Sequence, residues 1–180
     1  MIIKKTINYI FFKLLPPLQY AKFIGVKVGN NCRIASKNWG SEPYLIEIGN
    51  HVHITKGVNF VTHDGAVWVF RDEIPNFDAF GKIFIKDNTY IGNNSIILPG
   101  ITIGQNCIVG ACSVVTKSIP DNSIVAGNPA KFITTTKSYK EKTLKHNAKT
   151  KTLKYQDKKK TLLKLDESIF ITKSYLKIEK

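Results

Sequence analysis

The sequence between residues 85 and 120 repeats with a period of six. Its hexads are IKDNTY (85–90), IGNNSI (91–96), ILPGIT (97–102), IGQNCI (103–108), VGACSV (109–114) and VTKSIP (115–120). Each hexad begins with Ile or Val. A period of six fits neither the 3.6-residue turn of an α helix nor the two-residue alternation of a single strand, so it predicts a solenoid of short repeats.

The same spacing continues towards the N-terminus and, after a two-residue slip, towards the C-terminus. The additional hexads begin at Val28, Ile48, Ile54, Phe60 and Val125. Because stacked repeats align equal positions, we expect position 1 to form an aliphatic column inside the solenoid. We expect the small or branched residues of position 5, Cys32 and Cys107 among them, to fill the same interior. Glycine recurs at position 2, where either crowding or an unusual φ would favour it.

Three hexads make one triangular turn of 18 residues, so successive turns should begin at residues 48, 85 and 103. The pattern fails after Phe60 and returns at about residue 83. This leaves an excursion loop over residues 62–82. Loops of that length inside a compact repeat are usually functional or disordered.

Composition excludes several classes of protein. The chain has 180 residues, is 43% apolar and carries a net charge of +14, which suits one folded domain rather than a disordered or collagen-like chain. Residues 137–180 contain 14 Lys and 5 acidic residues, whereas residues 1–136 contain 13 basic and 8 acidic ones. Since Arg33 and Arg71 are the only arginines, a nucleic-acid partner is not expected. Three cysteines without close pairing indicate a reducing compartment.

The predicted organisation has three parts. Residues 1–20 form an amphipathic helix ended by Pro16-Pro17, residues 21–134 form the solenoid, and residues 135–180 form a Lys-rich helical tail. The N-terminus lacks a signal-peptide cleavage site. Its uncharged apolar stretch is too short to span a bilayer. Two interpretations of the tail stay open, namely a solvated appendage and a segment that contacts an anionic membrane surface.

Two stretches of the sequence resemble a known family. They are FVTHDGAVWVFR (60–71) and IGQNCIVGACSVVTK (103–117), the latter followed by IVAGNPAKF (124–132). The chain resembles the hexapeptide-repeat acyltransferases over about residues 20–134, and within them the O-acetyltransferases of bacterial surface-polysaccharide clusters. The resemblance implies an all-β solenoid, a left-handed parallel β-helix. Crossover rules alone would have predicted the right-handed form.

The resemblance also implies an activity. Family members transfer an acetyl group from acetyl-CoA to a hydroxyl or an amine, as homotrimers with their sites between neighbouring β-helices. The histidine that acts as general base in the family corresponds to His63, and a neutral imidazole suits that task near neutral pH. Asp64, its neighbour, is assigned a supporting catalytic role, either stabilising the imidazolium or binding the acceptor. The reaction needs no metal, and a cytoplasmic location, in reach of the inner membrane face, is expected.

Further site residues follow from the same resemblance. Those expected to bind acetyl-CoA are Tyr90, Asn93, Ala111, Thr116, Lys117 and Lys131. In the excursion loop, Trp68 and Arg71 are expected to bind the sugar acceptor. The aromatic residues of this loop would equally suit packing of the loop against a neighbouring subunit. His51 and His53 are interpreted as surface histidines.

Other functions are also compatible with the repeat. A xenobiotic or amino-sugar acetyltransferase would share the fold and the donor. A non-catalytic trimeric β-helix scaffold would share the fold alone. A γ-type carbonic anhydrase is disfavoured, because the four histidines lack the spacing of a zinc site.

Overall fold

The computed structural model describes residues 9–175, and most of its regular structure is short parallel strands. The strands are β1 (Lys27–Val28), β2 (Arg33–Ile34), β3 (Ile46–Ile48), β4 (His53–Ile54), β5 (Asn59–Phe60), β6 (Ile83–Ile85), β7 (Tyr90–Ile91), β8 (Ile96–Ile97), β9 (Thr102–Ile103), β10 (Ile108–Val109), β11 (Val114–Val115), β12 (Ser123–Ala126) and β13 (Lys131–Thr135).

Successive strands cycle through three sheets. Sheet A has the order β1-β3-β6-β9, sheet C has the order β5-β8-β11, and sheet B has the order β2-β4-β7-β10-β12, with β13 added antiparallel to β12. Ile85 pairs with Ile103, and Ile97 pairs with Val115, so neighbouring strands lie the predicted 18 residues apart. Ile48 instead pairs with Ile85, because the excursion loop is inserted between these two turns.

The interior is built from positions 1 and 5 of the hexads. The position-1 residues from Ile48 to Val115 are buried, as are the position-5 residues from Val52 to Ser113. Buried hydroxyls bind backbone carbonyls of the same or the next turn: Ser95 Oγ donates to Gly110 O at 2.9 Å, and Thr89 Oγ1 donates to Gly104 O at 3.0 Å. Small polar residues are therefore accommodated in the core because their hydrogen bonds are satisfied.

The corners of the coil explain the recurrent Gly and Asn. A Cβ on Gly92 would lie 2.5 Å from Ala111 N, so crowding by the next turn, and not an unusual φ, requires glycine at position 2. Positive φ occurs instead at position 4. The non-glycine residues that adopt it there are Asn31, His51, Asn88, Asn94, Asn106 and Cys112, with Asn122 at the equivalent corner before β12. Asn tolerates this conformation better than most residues.

Side chains at one corner form a ladder along the coil. His51 Nδ1 lies 2.8 Å from Asn88 Oδ1, Asn88 Nδ2 donates to Asn106 Oδ1 at 2.8 Å, and Asn106 Nδ2 donates to Asn122 Oδ1 at 3.0 Å. We call these four residues the position-4 ladder. It connects successive turns by side-chain hydrogen bonds, in addition to those of the backbone.

The N-terminal helix differs from its prediction. Residues 9–14 are helical, residues 2–8 of the predicted helix lie outside the described part, and a second helix, α1 (Pro17–Phe23), follows at once. The boundary predicted at residue 20 therefore falls inside α1. Pro17 occupies the first turn, where its missing N–H costs no hydrogen bond, so the proline pair ends one helix and begins another. Tyr20 and Ala21 of α1 are buried.

The described chain divides into two compact units between Thr136 and Lys137. The helices near and beyond this boundary are α2 (Thr136–Leu144) and α3 (Tyr155–Leu162), followed by a 3₁₀ turn at Glu167–Ile169. Within residues 9–175, none of the helices combines the length and the apolar character that crossing a bilayer requires.

Candidate active site

His63 lies at the base of the excursion loop, three residues after β5 leaves sheet C. The loop closes on itself there, because His63 pairs antiparallel with Phe80. Asp64 N donates to Ala79 O at 2.8 Å, and Gly81 N donates to Thr62 O at 2.9 Å. These bonds hold the backbone of His63 although 17 residues separate it from Gly81 at the end of the loop.

The ring of His63 contacts a carboxylate. Its Nδ1 lies 3.1 Å from Glu42 Oε2, and the side chain of His63 is 41% exposed whereas that of Glu42 is 16% exposed. A carboxylate accepts hydrogen bonds, so this contact favours the tautomer with the proton on Nδ1. Nε2 then has the free lone pair and can accept a proton. The ring is partly exposed to solvent.

Glu42 is itself fixed in position. Thr62 is fully buried, and its Oγ1 donates to Glu42 Oε2 at 2.7 Å. Upstream, Trp39 stacks on Phe60 with ring centroids 4.9 Å apart, which anchors the turn that carries Glu42 to the coil. The carboxylate is therefore oriented by a hydroxyl on one side and by the packing of its own turn on the other.

Glu42 was missed in the sequence analysis. It lies in the irregular turn between two hexad blocks and 21 residues before His63, so no local spacing connects the two residues. The available signal was the break in the period between Ile34 and Ile46. That break marks a turn that leaves the hexad pattern, so some of its side chains, such as that of Glu42, are free to contact a residue outside the core.

Asp64 has a different contact from the one expected. Its Oδ1 accepts a hydrogen bond from Ala66 N at 3.0 Å and caps the 3₁₀ helix Gly65–Phe70. The carboxylate that contacts the imidazole is that of Glu42. A role of Asp64 in binding the acceptor stays a prediction.

The two loop residues expected to bind the acceptor differ in their surroundings. Trp68 is 72% exposed. Arg71 is engaged within the loop, because its Nη2 lies 2.6 Å from Asp78 Oδ1 and its Nε donates to Phe77 O at 3.2 Å. The guanidinium of Arg71 thus stabilises the conformation of the loop, whether or not it also contacts a ligand.

The six residues expected to bind the donor are all exposed, and they fall into three places. Asn93 and Ala111 occupy equivalent corners one turn apart, where Cys112 N donates to Asn93 O at 2.8 Å. Lys131 pairs with Ala126 beside the same corner. Thr116 and Lys117 follow β11 of sheet C.

His63 follows β5, the other edge strand of sheet C. Strands two apart in a sheet are separated by about 10 Å, so the approach to His63 and the Thr116–Lys117 segment border one sheet. Tyr90 lies on sheet B instead, where its ring contacts that of His53 edge-to-face at 5.3 Å. Four of the six donor residues therefore lie at the end of a sheet C strand or at the corner between sheets B and C. Lys131 lies on β13 of sheet B beside that corner, and Tyr90 lies on β7 of the same sheet.

An open groove of about 530 Å³ lies elsewhere, along the outer face of sheet A. It is lined by Glu47, Gly49, Phe84, Ile85, Lys86, Asp87, Thr102 and Gln105. None of the expected site residues lines it. Within residues 9–175, no cluster of three or more His, Cys, Asp or Glu side chains has the arrangement of a metal site.

The comparisons with known proteins agree with the repeat. Residues 82–117 match the family described as bacterial transferase hexapeptide (six repeats). The chain is 57% identical over 126 residues to Protein CapG of Staphylococcus aureus, covering 68% of this chain and 73% of that protein. It is 30% identical over 128 residues to YvoF of Bacillus subtilis, whose name assigns it to the acetyltransferases, covering 70% of each.

A solved structure has a similar fold. Galactoside acetyltransferase in complex with coenzyme A matches with a TM-score of 0.57 and 25% identity, covering 76% of this chain and 80% of that one. The chain belongs to the bacterial hexapeptide-repeat transferase family, and it is an acyltransferase. The hexapeptide repeat and these relatives imply that the coil of three sheets is a left-handed β-helix.

Proposed function

We propose that the protein is an acetyl-CoA-dependent O-acetyltransferase that acetylates a sugar hydroxyl of a surface polysaccharide or of its precursor, with His63 as general base. The observation that carries this proposal is the contact of 3.1 Å between His63 Nδ1 and Glu42 Oε2. It assigns the proton of a neutral imidazole to one nitrogen and leaves the other free to accept a proton from a substrate.

The chemistry requires such a base. A sugar hydroxyl is a weak nucleophile until its proton is withdrawn in the transition state, and a positioned base contributes about 10²–10⁴-fold to the rate. Nε2 of His63 accepts the hydroxyl proton while the sugar oxygen forms its bond to the acetyl carbon. Glu42 stabilises the imidazolium that results, as the carboxylate does in other base–orienter pairs.

Acetyl-CoA supplies the thioester that is cleaved. As the C–S bond breaks, His63 returns its proton to the departing sulfur, so the ring ends the cycle neutral and the products are the O-acetyl sugar and the thiol. No covalent intermediate on the protein is needed. Cys107 is buried and Cys32 is half-buried, and both are bonded to backbone carbonyls, so neither thiol is placed to act as a nucleophile.

The residues around sheet C suit the donor. Lys117 and Lys131 are exposed, and among the described residues neither is in an ion pair, so both ammonium groups are available to phosphates. Ala111 presents a small side chain at the corner, which leaves its backbone accessible to an amide-containing chain. That the galactoside acetyltransferase binds coenzyme A supports the same donor for this chain.

The sugar acceptor and the oligomeric state in this proposal are supported by separate observations. A galactoside acetyltransferase among the structural relatives and the exposed Trp68 at the loop support a sugar ring as acceptor. In the described part of a single chain, the His63 side chain is 41% exposed and the six donor residues are exposed. A second wall would therefore come from another copy, which supports a homotrimer with its sites between copies and a cytoplasmic location where acetyl-CoA is available.

The proposal is tested by measuring release of the CoA thiol over a panel of sugar acceptors. We expect His63→Ala to lower kcat by about 10²-fold or more while the affinity for CoA stays unchanged. His51→Asn is the matched control, because it replaces another histidine by the residue that the position-4 ladder uses elsewhere. Full activity of His63→Ala would refute the assignment of the base.

A second measurement separates donor binding from chemistry. Lys117→Ala and Lys131→Ala should raise the KM for acetyl-CoA with little change in kcat, because they remove contacts that are equal in ground and transition states. Failure of either change to move this KM removes that lysine from the donor site. Light scattering at roughly three times the chain mass of 20.3 kDa is expected for the assembly.

A further inference from the structure

The helical residues 9–14 present an apolar outer face. On a helix, residues 9, 10, 13 and 14 lie on one side. Tyr9, Ile10 and Leu14 are 62%, 45% and 73% exposed, and Lys13 is exposed among them. The opposite side is also apolar, since Phe11 contacts the ring of Phe23 at 4.4 Å and Leu15 packs against the core. A helix that is apolar on both sides is not a typical solvated surface helix.

The N-terminal part of the sequence that contains this helix has charges of one sign, although one of its cations, Lys27, pairs with Glu47. Residues 1–41 contain seven basic residues and no acidic one, and Glu42 is the first carboxylate of the chain. Lys13 and Lys22 are exposed. Lys37 Nζ lies 5.1 Å from the centroid of the Phe12 ring and donates a hydrogen bond to Phe12 O, so the Lys37 side chain contacts the helix.

Together these observations fit a bilayer surface. Aromatic and aliphatic side chains interleaved with lysines are typical of helices that lie in the plane of a membrane interface, where the apolar groups enter the acyl boundary and the ammonium groups meet anionic headgroups. The same face on a second copy fits less well, because a two-fold contact would bring two sets of cations together without a carboxylate between them.

We propose that the N-terminal helical segment, residues 9–23, is an interfacial membrane anchor selective for anionic lipid. Its outer face is Tyr9, Ile10, Lys13 and Leu14. This attachment is independent of the Lys-rich tail and of the acyl-transfer chemistry.

The test is sedimentation of the full-length protein with vesicles of phosphatidylcholine alone and of phosphatidylcholine with about 30 mol% phosphatidylglycerol. We expect binding to the anionic vesicles and little binding to the neutral ones. Ile10→Ser with Leu14→Ser should lower the partition coefficient about tenfold or more, because the change removes apolar contact and keeps the charge. Leu153→Ser with Leu163→Ser is the matched control, since these tail residues are 39% and 77% exposed, and it should bind as the wild type does.

Reduced vesicle binding by the serine variant could also result from misfolding, so a second variant that is expected to keep or strengthen binding serves as a check. Leu14→Trp should bind anionic vesicles at least as tightly as the wild type, with a blue shift of its added fluorescence on binding. The proposal is overturned if the wild type does not bind anionic vesicles, if it binds neutral ones equally, or if the tail variant loses binding and the N-terminal variant does not. It is also overturned if Ile10→Ser with Leu14→Ser changes the oligomeric mass instead, which would make this face a contact between copies.

Discussion

At the scale of single residues, the candidate site brings together an imidazole and a carboxylate that are far apart in sequence. Nothing in the sequence neighbourhood of His63 orients its ring, because Asp64 turns away to cap the following 3₁₀ helix. Glu42 provides the contact, with Thr62 bonded to the same oxygen. A base whose tautomer is fixed by a neighbour needs less reorganisation during proton transfer.

Glu42→Gln tests this arrangement. The amide can still accept from Nδ1 but cannot stabilise the imidazolium by charge, so we expect kcat to fall about tenfold to a hundredfold with a smaller change in KM. Activity is measured against pH with the acceptor that the panel assay selects. Glu47→Gln, on the outer face of sheet A, should leave activity unchanged, and equal losses in both variants would contradict a specific role for Glu42.

The three cysteines should differ in reactivity. Burial raises the pKa of the Cys107 thiol, which lowers its thiolate fraction near neutral pH, whereas Cys112 is exposed at a corner. We expect a thiol reagent to modify Cys112 rapidly in the folded protein and Cys107 only after denaturation. The fast phase should vanish in Cys112→Ser, and its persistence in that variant would show that one of the other thiols is accessible.

At the scale of elements, each strand of the coil has only a few residues, so the corners contribute much of the specificity. The glycines at position 2, such as Gly92 and Gly104, must lack a side chain because the next turn lies within contact distance there. Position 4 must accept a positive φ, and asparagine there also bonds to its equivalent in the next turn. Each hexad thus specifies one side of a turn and its fit to the turns beside it.

Asn106→Ala removes both ladder bonds of Asn106 and places a Cβ-bearing residue without a polar group at a φ of 54°. We expect a loss of about 2 kcal/mol in the free energy of unfolding. Asn106→Gly should cost about 1 kcal/mol, since it loses the bonds but relieves the backbone. Urea unfolding at one protein concentration measures both changes.

The neighbouring Gln105→Ala is the control for this series. The backbone N of Gln105 donates to Asp121 Oδ1, and this bond does not depend on its own side chain. We expect a change within about 0.5 kcal/mol. If Asn106→Ala were no more destabilising than Gln105→Ala, the position-4 ladder would contribute little to stability.

At the scale of the whole molecule, charge and candidate chemistry are in different parts of the chain. Most of the net charge of +14 comes from residues 137–180, whereas every candidate site residue lies before residue 137. The unit that ends at Thr136 is compact by itself. The acyl-transfer site should therefore not require the tail.

A chain ended after Thr136 tests this separation. We expect it to keep its circular dichroism in the strand region and to acetylate the same acceptor within about threefold of the full chain, because Lys131 and β13 remain. Thiol release and CoA binding are the measurements. Loss of activity with retained structure would place part of the site in residues 137–180.

The period of six by itself determined that the chain stacks as a solenoid, since equal residues recur at equal positions. With three hexads in each turn, equivalent residues come into register 18 positions apart. It also located the excursion loop, because the interruption of the repeat after Phe60 can be read directly from the sequence. Only the tertiary structure decided which glycine and asparagine positions the corners require and which carboxylate contacts His63. Those features depend on the distance between turns, and a distance between residues 21 or more positions apart is set by the completed coil and not by local sequence.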